Sequence, residues 1–484
     1  MKTVEEKYQV NGYYPTIGIE CHVQLKTNTK LFAGVDNDAR NARQNTLISH
    51  ICFGLPGALP VLNERAVELA IKAAFALNTR PQQFSKFDRK HYFYPDLPLG
   101  YQISQFDEPI ILGGHIDITI DGEQRRIGIT RAHLEADAGK STHPTDGDYS
   151  LVDLNRAGTP LLEIVSEPDM HSSSEARAYA KELFLAMKYA DVSDVDLYHG
   201  NMRFDVNVSV SKIPSELGTR SETKNLNSFR SVERAVDYEI ARQIEVLESG
   251  GEVVQETRGW DDDAQKTFSQ RSKEDAHDYR YFPDPDLPPI YITDDKISEA
   301  KSNMTSLPRE HRKLMTDLGI DSAAIETIIA EPNAARYLSG IRGDKKELVR
   351  IIANWFSGPV LKLANDHNYQ WTDIVTREWN ELAAMHTQNK VSSTGAKEII
   401  AIMLEKGGSP SAIAEEKGLL QVSDEGAIEE IVNKVIANNQ SAADDVRSGE
   451  MKAIGFLVGQ VMKESQGKAN PAMAKEMLQH KLSS

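Results

Sequence analysis

The chain has 484 residues, of which 40% are hydrophobic and 26% charged, and its formal net charge is −17. This composition is typical of a folded globular protein of about two to four domains. No apolar run approaches the ~20 residues of a membrane-spanning helix, and the first residues lack an apolar signal core. Two cysteines, Cys21 and Cys52, are too few for a disulfide framework or a four-thiolate zinc site. We therefore expect a cytoplasmic protein with no membrane partner.

The first predicted strand runs from Tyr14 to Leu25. Its apolar residues alternate with Glu20, His22 and Gln24, which share the other face. An imidazole two residues from a carboxylate can be part of a metal site, although a strand histidine more often makes an ordinary hydrogen bond. Both interpretations stay open at this point.

Two different segments follow the first strand. Asn63 is the predicted N-cap of a helix that runs to about Asn78 and packs in the core. The stretch from Lys90 to Gln102 is rich in aromatic residues and prolines, which exclude a regular helix and disfavour a central strand. Such a loop with a lysine can line a passage or stack on a nucleic-acid end, or it can be a rigid surface loop.

Two more strands carry charged residues. In the strand from Ile127 to Asp137, one face presents Arg131, His133, Glu135 and Asp137. The residues after it look like the end of a phosphate-binding P-loop, but Leu134 stands where that motif needs a glycine, so we exclude it. Further on, Glu163 lies within an apolar run, where a carboxylate is costly unless a cation pairs with it. A ligand role for Glu163 is favoured over that of a surface-facing strand residue.

The central stretch runs from Gly200 to Phe229. Between Met202 and Val210, β-branched and aromatic residues alternate with Arg203, Asp205, Asn207 and Ser209. The segment from Thr219 to Lys224 can return as a neighbouring strand with Arg220, Glu222 and Lys224 on one side. Carboxylates beside cations suit an oxygen-ligated Mg²⁺ with phosphates, and a charged solvent-exposed face is the alternative.

Helices predicted at Ser172–Ala190 and Ser231–Glu248, together with the helix that starts at Asn63, should cover one face of an antiparallel sheet and leave the polar face open as a cradle. After them, residues 271–289 form a stiff polar loop in which Arg271, Lys273 and Arg280 can close over an anionic ligand. The prolines at the end of this loop indicate an exit linker.

Beyond residue 295 helical patterns dominate, and we place domain boundaries near 295 and near 406. Residues 447–484 hold six basic and three acidic side chains. The lysines around the turn at 467–471 form a basic rim suited to an RNA backbone, or a plain solvated helix face. These lysines are Lys463, Lys468, Lys475 and Lys481.

Long motifs are distributed over nearly the whole chain. They are Gly18-Ile-Glu-Cys-His-Val-Gln-Leu25, Tyr92-Phe-Tyr-Pro-Asp-Leu-Pro98, Gly100-Tyr-Gln-Ile-Ser-Gln105, Asp137-Ala-Gly-Lys140, Asp153-Leu-Asn-Arg156, Leu162-Glu-Ile-Val-Ser-Glu-Pro168, Arg203-Phe-Asp-Val-Asn-Val-Ser-Val210, Glu222-Thr-Lys-Asn-Leu-Asn-Ser-Phe229 and His277-Asp-Tyr-Arg-Tyr-Phe-Pro-Asp-Pro-Asp-Leu-Pro-Pro289. Together they closely resemble the GatB family, one of the three kinds of subunit of the bacterial tRNA-dependent amidotransferase GatCAB.

The resemblance implies an α+β fold, with an N-terminal antiparallel β-sheet cradle and flanking helices over residues 1–294. A helical domain over 295–405 and a small YqeY-like, tRNA-binding helical tail over 406–484 should follow. The implied reaction converts misacylated Glu-tRNA(Gln), Asp-tRNA(Asn) or both to the amidated forms. ATP phosphorylates the side-chain carboxylate, and ammonia arrives through a channel from the glutaminase subunit GatA. GatC is the third subunit.

The resemblance also assigns residues. The family's magnesium ligands fall on His22, Glu135, Glu163, Asp205 and Glu222, and we add Glu20 as a ligand or an outer contact. The expected catalytic residues are Lys90, Glu135, Asp205 and Glu222, and Lys90 matches a position proposed to line the end of the ammonia channel. From the residue patterns rather than the resemblance, the expected cofactor-binding residues are Arg203, Lys224, Arg271, Lys273 and Arg280.

Three departures from the family pattern stand out. Many relatives have a four-cysteine zinc site after the first strand, where this chain keeps only Cys52, so we predict no zinc. Ala136 replaces a usual second glutamate, and Leu99 replaces a usual lysine, which puts details of the channel end in doubt.

A tRNA-binding scaffold with a decayed kinase site and a free-standing ligase for a small amino acid are the alternative functions.

Overall fold

A computed structural model of the chain describes residues 4–144, 147–272, 279–341, 343, 345–421, 425–465 and 469–482. The chain forms two compact units, Met1–Leu307 and Pro308–Ser484. Within the described ranges, no helix combines the length and the apolar character needed to cross a bilayer.

The strands of the first unit vary from short pairs to long, twisted segments. They are β1 (Tyr14–Gln24), β2 (Phe84–Ser85), β3 (Asp88–His91), β4 (Tyr101–Ser104), β5 (Ile111–Leu112), β6 (His115–Ile120), β7 (Glu123–Ala136), β8 (Lys140–Thr142), β9 (Leu151–Asp153), β10 (Pro160–Ser166), β11 (Met202–Ser211), β12 (Ser221–Leu226), β13 (Glu256–Asp261), β14 (Lys266–Ser272), β15 (Arg280–Pro283) and β16 (Ile290–Tyr291).

One large sheet organises this unit. Its strand order is β14-β13-β12-β11-β1-β10-β7-β5, and β6 also pairs with β7. The α+β class predicted from the sequence is confirmed, but a wholly antiparallel sheet was wrong, because β12 and β13 pair in parallel. The helix between these two strands explains the difference, since a strand–helix–strand crossover returns the chain in the same direction.

The apolar face of the sheet is buried against helices. On β1, Ile17, Ile19, Cys21 and Val23 are at most 1% exposed, and the apolar residues of β11 are buried in the same way. The helices of this unit are α1 (Glu64–Ala76), α2 (Ser173–Tyr189), α3 (Phe229–Glu248) and α4 (Asp294–Ser302). α2 and α3 pack together, and α3 packs on β11. On the opposite, polar face, which we call the open face, Glu20, His22 and Glu222 stay partly exposed.

Side-chain caps set the helix starts. Asn63 accepts a hydrogen bond from the backbone N–H of Arg65, and Ser172 from that of Glu175, as predicted. α3 begins before the predicted Ser231, because Ser228 is its N-cap.

A smaller three-stranded sheet, in the order β15-β3-β4, lies beside the main one. The aromatic segment from Lys90 to Gln102 contributes the end of β3 and the start of β4, so Lys90 lies in the middle strand. The prolines of this segment occupy the connection between the two strands, where they leave no ladder hydrogen bond unmade.

The second unit is helical. Its helices are α5 (Pro308–Asp317), α6 (Ser322–Ile329), α7 (Pro332–Gly340), α8 (Lys346–Trp355), α9 (Leu361–His367), α10 (Trp371–Ile374), α11 (Trp379–Thr387), α12 (Ser393–Lys406), α13 (Pro410–Glu416), α14 (Glu425–Asn438), α15 (Gln440–Arg447), α16 (Ala453–Glu464) and α17 (Pro471–Leu482). A π-helical turn, Phe356–Val360, joins α8 to α9.

The last four helices share one core, which includes Ile428, Val432, Leu457 and Leu478. α13 packs instead against α11 and α12. The glycines at 407 and 408 therefore end α12, and Ser409 caps α13. α14–α17 therefore form a helical group with its own core.

Candidate active site

The open face of the main sheet aligns polar side chains from five neighbouring strands, β12, β11, β1, β10 and β7. Across the ladders, Glu20 lies opposite Asp205, and His22 lies opposite Glu163. Glu163 in turn lies opposite His133. Since directly opposed residues on one sheet face have neighbouring Cβ atoms, the pairing brings side chains from distant parts of the sequence into one row.

The tightest group in this row is His22, Glu135 and Glu163, whose ligand atoms all lie within 4.8 Å of one another. His22 Nε2 is 3.5 Å from a carboxylate oxygen of Glu135 and 3.5 Å from one of Glu163. Glu135 is 3% exposed. We call these three residues the acid–imidazole cluster.

His133 joins the cluster, although the sequence-based assignment did not include it. Its Nε2 lies 3.4 Å from Glu163 and 3.7 Å from Glu135. The ring is 3% exposed, and no hydrogen-bond partner for Nδ1 is found in the described part of the chain. The signal was present in the sequence, since His133 shares the polar face of β7 with Glu135.

Burial and charge compete at this cluster. Burial lowers the pKa of His22 and of His133, but Glu163 and Glu135 outweigh it and raise each pKa to about 9. Burial alone would raise the pKa of Glu163, yet the two imidazoles hold it well below its usual range. The Glu163 carboxylate is therefore ionised and matched by imidazolium groups, a charge pattern that a bound divalent cation can replace.

A second group stands beside the cluster on β11 and β12. Lys224 Nζ lies 3.0 Å from Glu222 and 3.3 Å from Asp205. Burial lowers the pKa of Lys224, but Asp205 and Glu222 outweigh it, so the net shift is upward. Asp205 also accepts a hydrogen bond of 2.8 Å from the backbone N–H of Asn225, where the ladder between β11 and β12 is irregular.

Glu20 lies between the two groups. It accepts a hydrogen bond of 3.0 Å from the amide of Asn207. Its pKa is raised by burial and by the charges of Glu163 and Glu222. Glu20 therefore lies within electrostatic reach of both groups.

Lys90 approaches the acid–imidazole cluster from β3. Burial is the largest single influence and lowers its pKa, but the charges of Glu135, Tyr281 and Glu163 together outweigh burial, so the net shift is upward. Its ammonium lies 4.7 Å from the ring centre of Tyr279 and 5.9 Å from that of Tyr92. The lysine of the aromatic segment thus faces the acidic end of the cradle.

Arg203 is held by Asp137. Its Nη2 lies 3.3 Å from the Asp137 carboxylate, which also contacts Arg156 at 3.4 Å. Arg156 donates to the backbone carbonyls of Ala138 and Gly139. A cavity of about 660 Å³ adjoins this group and is lined by Gln24, Lys26, Lys140, Arg156 and Asn201, among others.

The three cations expected in a loop after residue 270 do not form a described group. The backbone of Arg271 belongs to β14, Lys273 lies outside the described residues, and Arg280 is exposed on β15 opposite His91. An irregular loop over 271–289 was wrong at its start and at Arg280–Pro283, because both parts pair as strands.

The donor set fits a divalent cation. Carboxylate oxygens are the preferred protein ligands of Mg²⁺ and also suit Mn²⁺, whereas an imidazole suits softer divalent ions such as Fe²⁺. In the described residues, His22, Glu135 and Glu163 are the group whose geometry meets the requirement for a shared ion.

Comparison with known families accounts for most of the chain. Residues 15–298 match the model of the GatB/GatE catalytic domain, and residues 337–482 match that of the GatB domain. The B subunit of the aspartyl/glutamyl-tRNA(Asn/Gln) amidotransferase from Geotalea uraniireducens is 47% identical, covering 98% of this chain and 99% of the relative. The proteins of the same name from Carboxydothermus hydrogenoformans and Brevibacillus brevis are 44% and 45% identical. The first match covers 97% of this chain and 99% of that relative, and the second covers 98% of this chain and 100% of that relative. The chain belongs to the GatB family of amidotransferase subunits.

Proposed function

We propose that this chain is the subunit that amidates misacylated tRNA, converting Glu-tRNA(Gln), Asp-tRNA(Asn) or both to Gln-tRNA(Gln) and Asn-tRNA(Asn). In this proposal ATP phosphorylates the side-chain carboxylate of the attached amino acid, and ammonia then displaces phosphate. The observation that carries the proposal is the row of acidic and basic side chains on the open sheet face of a GatB-family chain.

The chemistry requires an activated carboxylate, because a carboxylate itself lacks a usable leaving group. Two anions, ATP and the substrate carboxylate, must be held together, and their charge must be balanced as phosphate is transferred. When bound, a Mg²⁺ ion supplies this balance and polarises the phosphate oxygens. The residues that would hold it are His22, Glu135, Glu163, Asp205 and Glu222, with Glu20 as a ligand or an outer contact.

Lys224 and Arg203 are proposed to bind the phosphates of ATP. Lys224 is already aligned by Glu222 and Asp205, and Arg203 is aligned by Asp137. The adjoining cavity of about 660 Å³ is within the ~300–1,000 Å³ range of small-molecule sites. We also propose further phosphate contacts from Arg271, Lys273 and Arg280.

Lys90 is proposed to lie where ammonia enters. Its position between aromatic rings and the carboxylates of Glu135 and Glu163 supports this role. A cation here disfavours ammonium, so that the nucleophile arrives as neutral ammonia. The ammonia is proposed to come from the glutaminase subunit GatA, with GatC completing the heterotrimer.

We propose that the tail contacts tRNA. We also propose that the chain works in the cytoplasm. Lys463 is exposed on α16 and Lys475 on α17, which leaves both for an RNA backbone. Lys481 pairs with Glu429 at 2.6 Å, and Lys468 lies outside the described residues. Zinc is not part of the proposal.

The test uses the chain purified with its two partner subunits. ADP release and amidated tRNA are measured with Glu-tRNA(Gln) or Asp-tRNA(Asn), ATP and glutamine. The proposal expects ADP release that depends on charged tRNA and one amide product per ADP. Product formation without ADP release would refute the phosphorylation step, and tRNA binding without either would favour a scaffold with a decayed site.

A further inference from the structure

A buried lysine and a cysteine meet outside the acid–imidazole cluster. Lys30 is 1% exposed, and its Nζ lies 3.5 Å from Cys52 Sγ. Its other acceptor in the described residues is the backbone carbonyl of Leu154, at 3.3 Å. Ser49 Oγ lies 3.5 Å from the same sulfur. The proposed amidation reaction gives neither Lys30 nor Cys52 a role.

This environment favours a reactive amine. An ammonium in such a position has lost its hydration, and its two acceptors in the described part of the chain are a sulfur and a carbonyl oxygen rather than a carboxylate. Burial accordingly lowers the pKa of Lys30, although Cys52 opposes part of the shift. A neutral amine carries a free electron pair and is a nucleophile.

A small oxidant has room to reach the pair. A cavity of about 50 Å³ is lined by Lys30, Cys52, Leu97, Tyr101 and Asp137, among others. This exceeds the ~10–15 Å³ that one water needs. Peroxide has only two heavy atoms and fits such a space.

We propose that Lys30 and Cys52 form a covalent cross-link when the protein meets hydrogen peroxide. The thiol is first oxidised by one peroxide to a sulfenic acid, and one water is released. The Lys30 amine then attacks the sulfur, and an N–S bond forms as the S–O bond breaks. Hydroxide leaves, takes the amine proton and becomes a second water. Sulfur is oxidised by two electrons, and peroxide is reduced to water.

Proximity selects Lys30 as the trapping group. Sulfenic acids condense with a nearby thiol or with a nitrogen, and Lys30 Nζ lies 3.5 Å from Cys52 Sγ. Cys21 is also buried, but its side chain packs in the apolar face of β1. Cys21 is therefore the matched control cysteine. The cross-link would join the residues after β1 to the segment that contains Cys52, which stand 22 positions apart.

The test exposes the purified three-subunit complex to graded hydrogen peroxide and maps its peptides by mass spectrometry. The expected product is a linked pair of peptides containing Lys30 and Cys52, about 2 Da lighter than their sum, reversed by dithiothreitol. Trypsin should also fail to cleave after Lys30. C21S should retain the product, whereas C52S and K30M should lose it.

Two results would overturn the proposal. One is sulfenic or sulfinic acid at Cys52 with Lys30 cleaved normally by trypsin. The other is no oxidation at Cys52 at peroxide concentrations that oxidise exposed methionines. Both are read on the unmutated protein, so the test still decides the matter if K30M fails to fold.

Discussion

The substitution Asp205→Asn separates the chemical role of this residue from its structural role. The Asp205 carboxylate accepts the backbone N–H of Asn225 and pairs with Lys224. An asparagine can keep the first contact, because its side-chain oxygen is also an acceptor, but it loses the charge. Asp205→Ala loses both contacts.

The structure sets the expected magnitudes. The Lys224 side chain is 37% exposed, so losing its pairing with Asp205 should cost ~1 kcal/mol or less of unfolding free energy. Removing the acceptor for Asn225 should cost about 1.5–3 kcal/mol more. Activity should fall about 100-fold or more in both variants, as it does when one group that stabilises transferring charge is removed.

The assay measures denaturant unfolding of the subunit and tRNA-dependent ADP release by the complex. Glu216→Gln is the matched control, because it removes the same charge from an exposed loop between β11 and β12. It should change neither quantity. Full ADP release by Asp205→Asn would refute the catalytic assignment. Equal loss of stability in the Asn and Ala variants would refute the account of the Asn225 contact.

Three further predictions concern other parts of the chain. His133→Asn should lower the apparent Mg²⁺ affinity in the ADP-release assay about 10–100-fold, as for residues that orient ligands. The control His143→Asn, which changes an exposed histidine, should leave that affinity unchanged. Unchanged Mg²⁺ dependence in His133→Asn would contradict the role of His133. Glu239 is fully buried, and although burial raises its pKa, its contacts with Arg242 and others lower it on balance. Its stabilisation should be present above the pKa of an unfolded glutamate and lost as pH falls through the lower folded value. Glu239→Gln should therefore lower the unfolding free energy by about 3–5 kcal/mol near pH 7. The difference from wild type should narrow as pH falls below the pKa of an unfolded glutamate, and a difference that stays constant in pH-dependent unfolding would contradict this. Removing all residues after Gln421 should raise the KM for charged tRNA and leave kcat unchanged, whereas an unchanged KM would argue against contact between the tail and RNA.

The polar face of the sheet was largely predictable from the sequence. Strict alternation along β1, β7 and β11 identifies which side chains share a face, and this part of the prediction needs no tertiary information. The lateral order of strands is not encoded in that alternation. The sequence therefore could not show that His133 lies opposite Glu163, and a residue with the right chemistry was left out.

The parallel pair shows a different limit. β13 is short and polar, with the sequence Glu-Thr-Arg-Gly-Trp-Asp at 256–261, so it lacks the alternation that marks a half-buried strand. Its position is fixed by pairing with β12 and β14. Tertiary contacts, rather than local preference, place this strand.

The residues at 407–410 show that one turn signal fits two interpretations. The Gly-Gly-Ser-Pro run at 407–410 indicated a domain boundary, but in the structure it is the end of one helix and the cap of the next. Local signals of this kind mark the ends of elements equally well within a domain and between domains. α13 packs against α11 and α12, and the domain boundary near 406 stays a prediction.

The most direct test of the acid–imidazole cluster is anomalous diffraction from crystals of the three-subunit complex grown with Mn²⁺ and a non-hydrolysable ATP analogue. We expect a manganese peak on the open sheet face, in contact with Glu135 and Glu163, with the analogue's phosphates beside it. A peak elsewhere on the chain, with the analogue bound away from this face, would contradict the assignment.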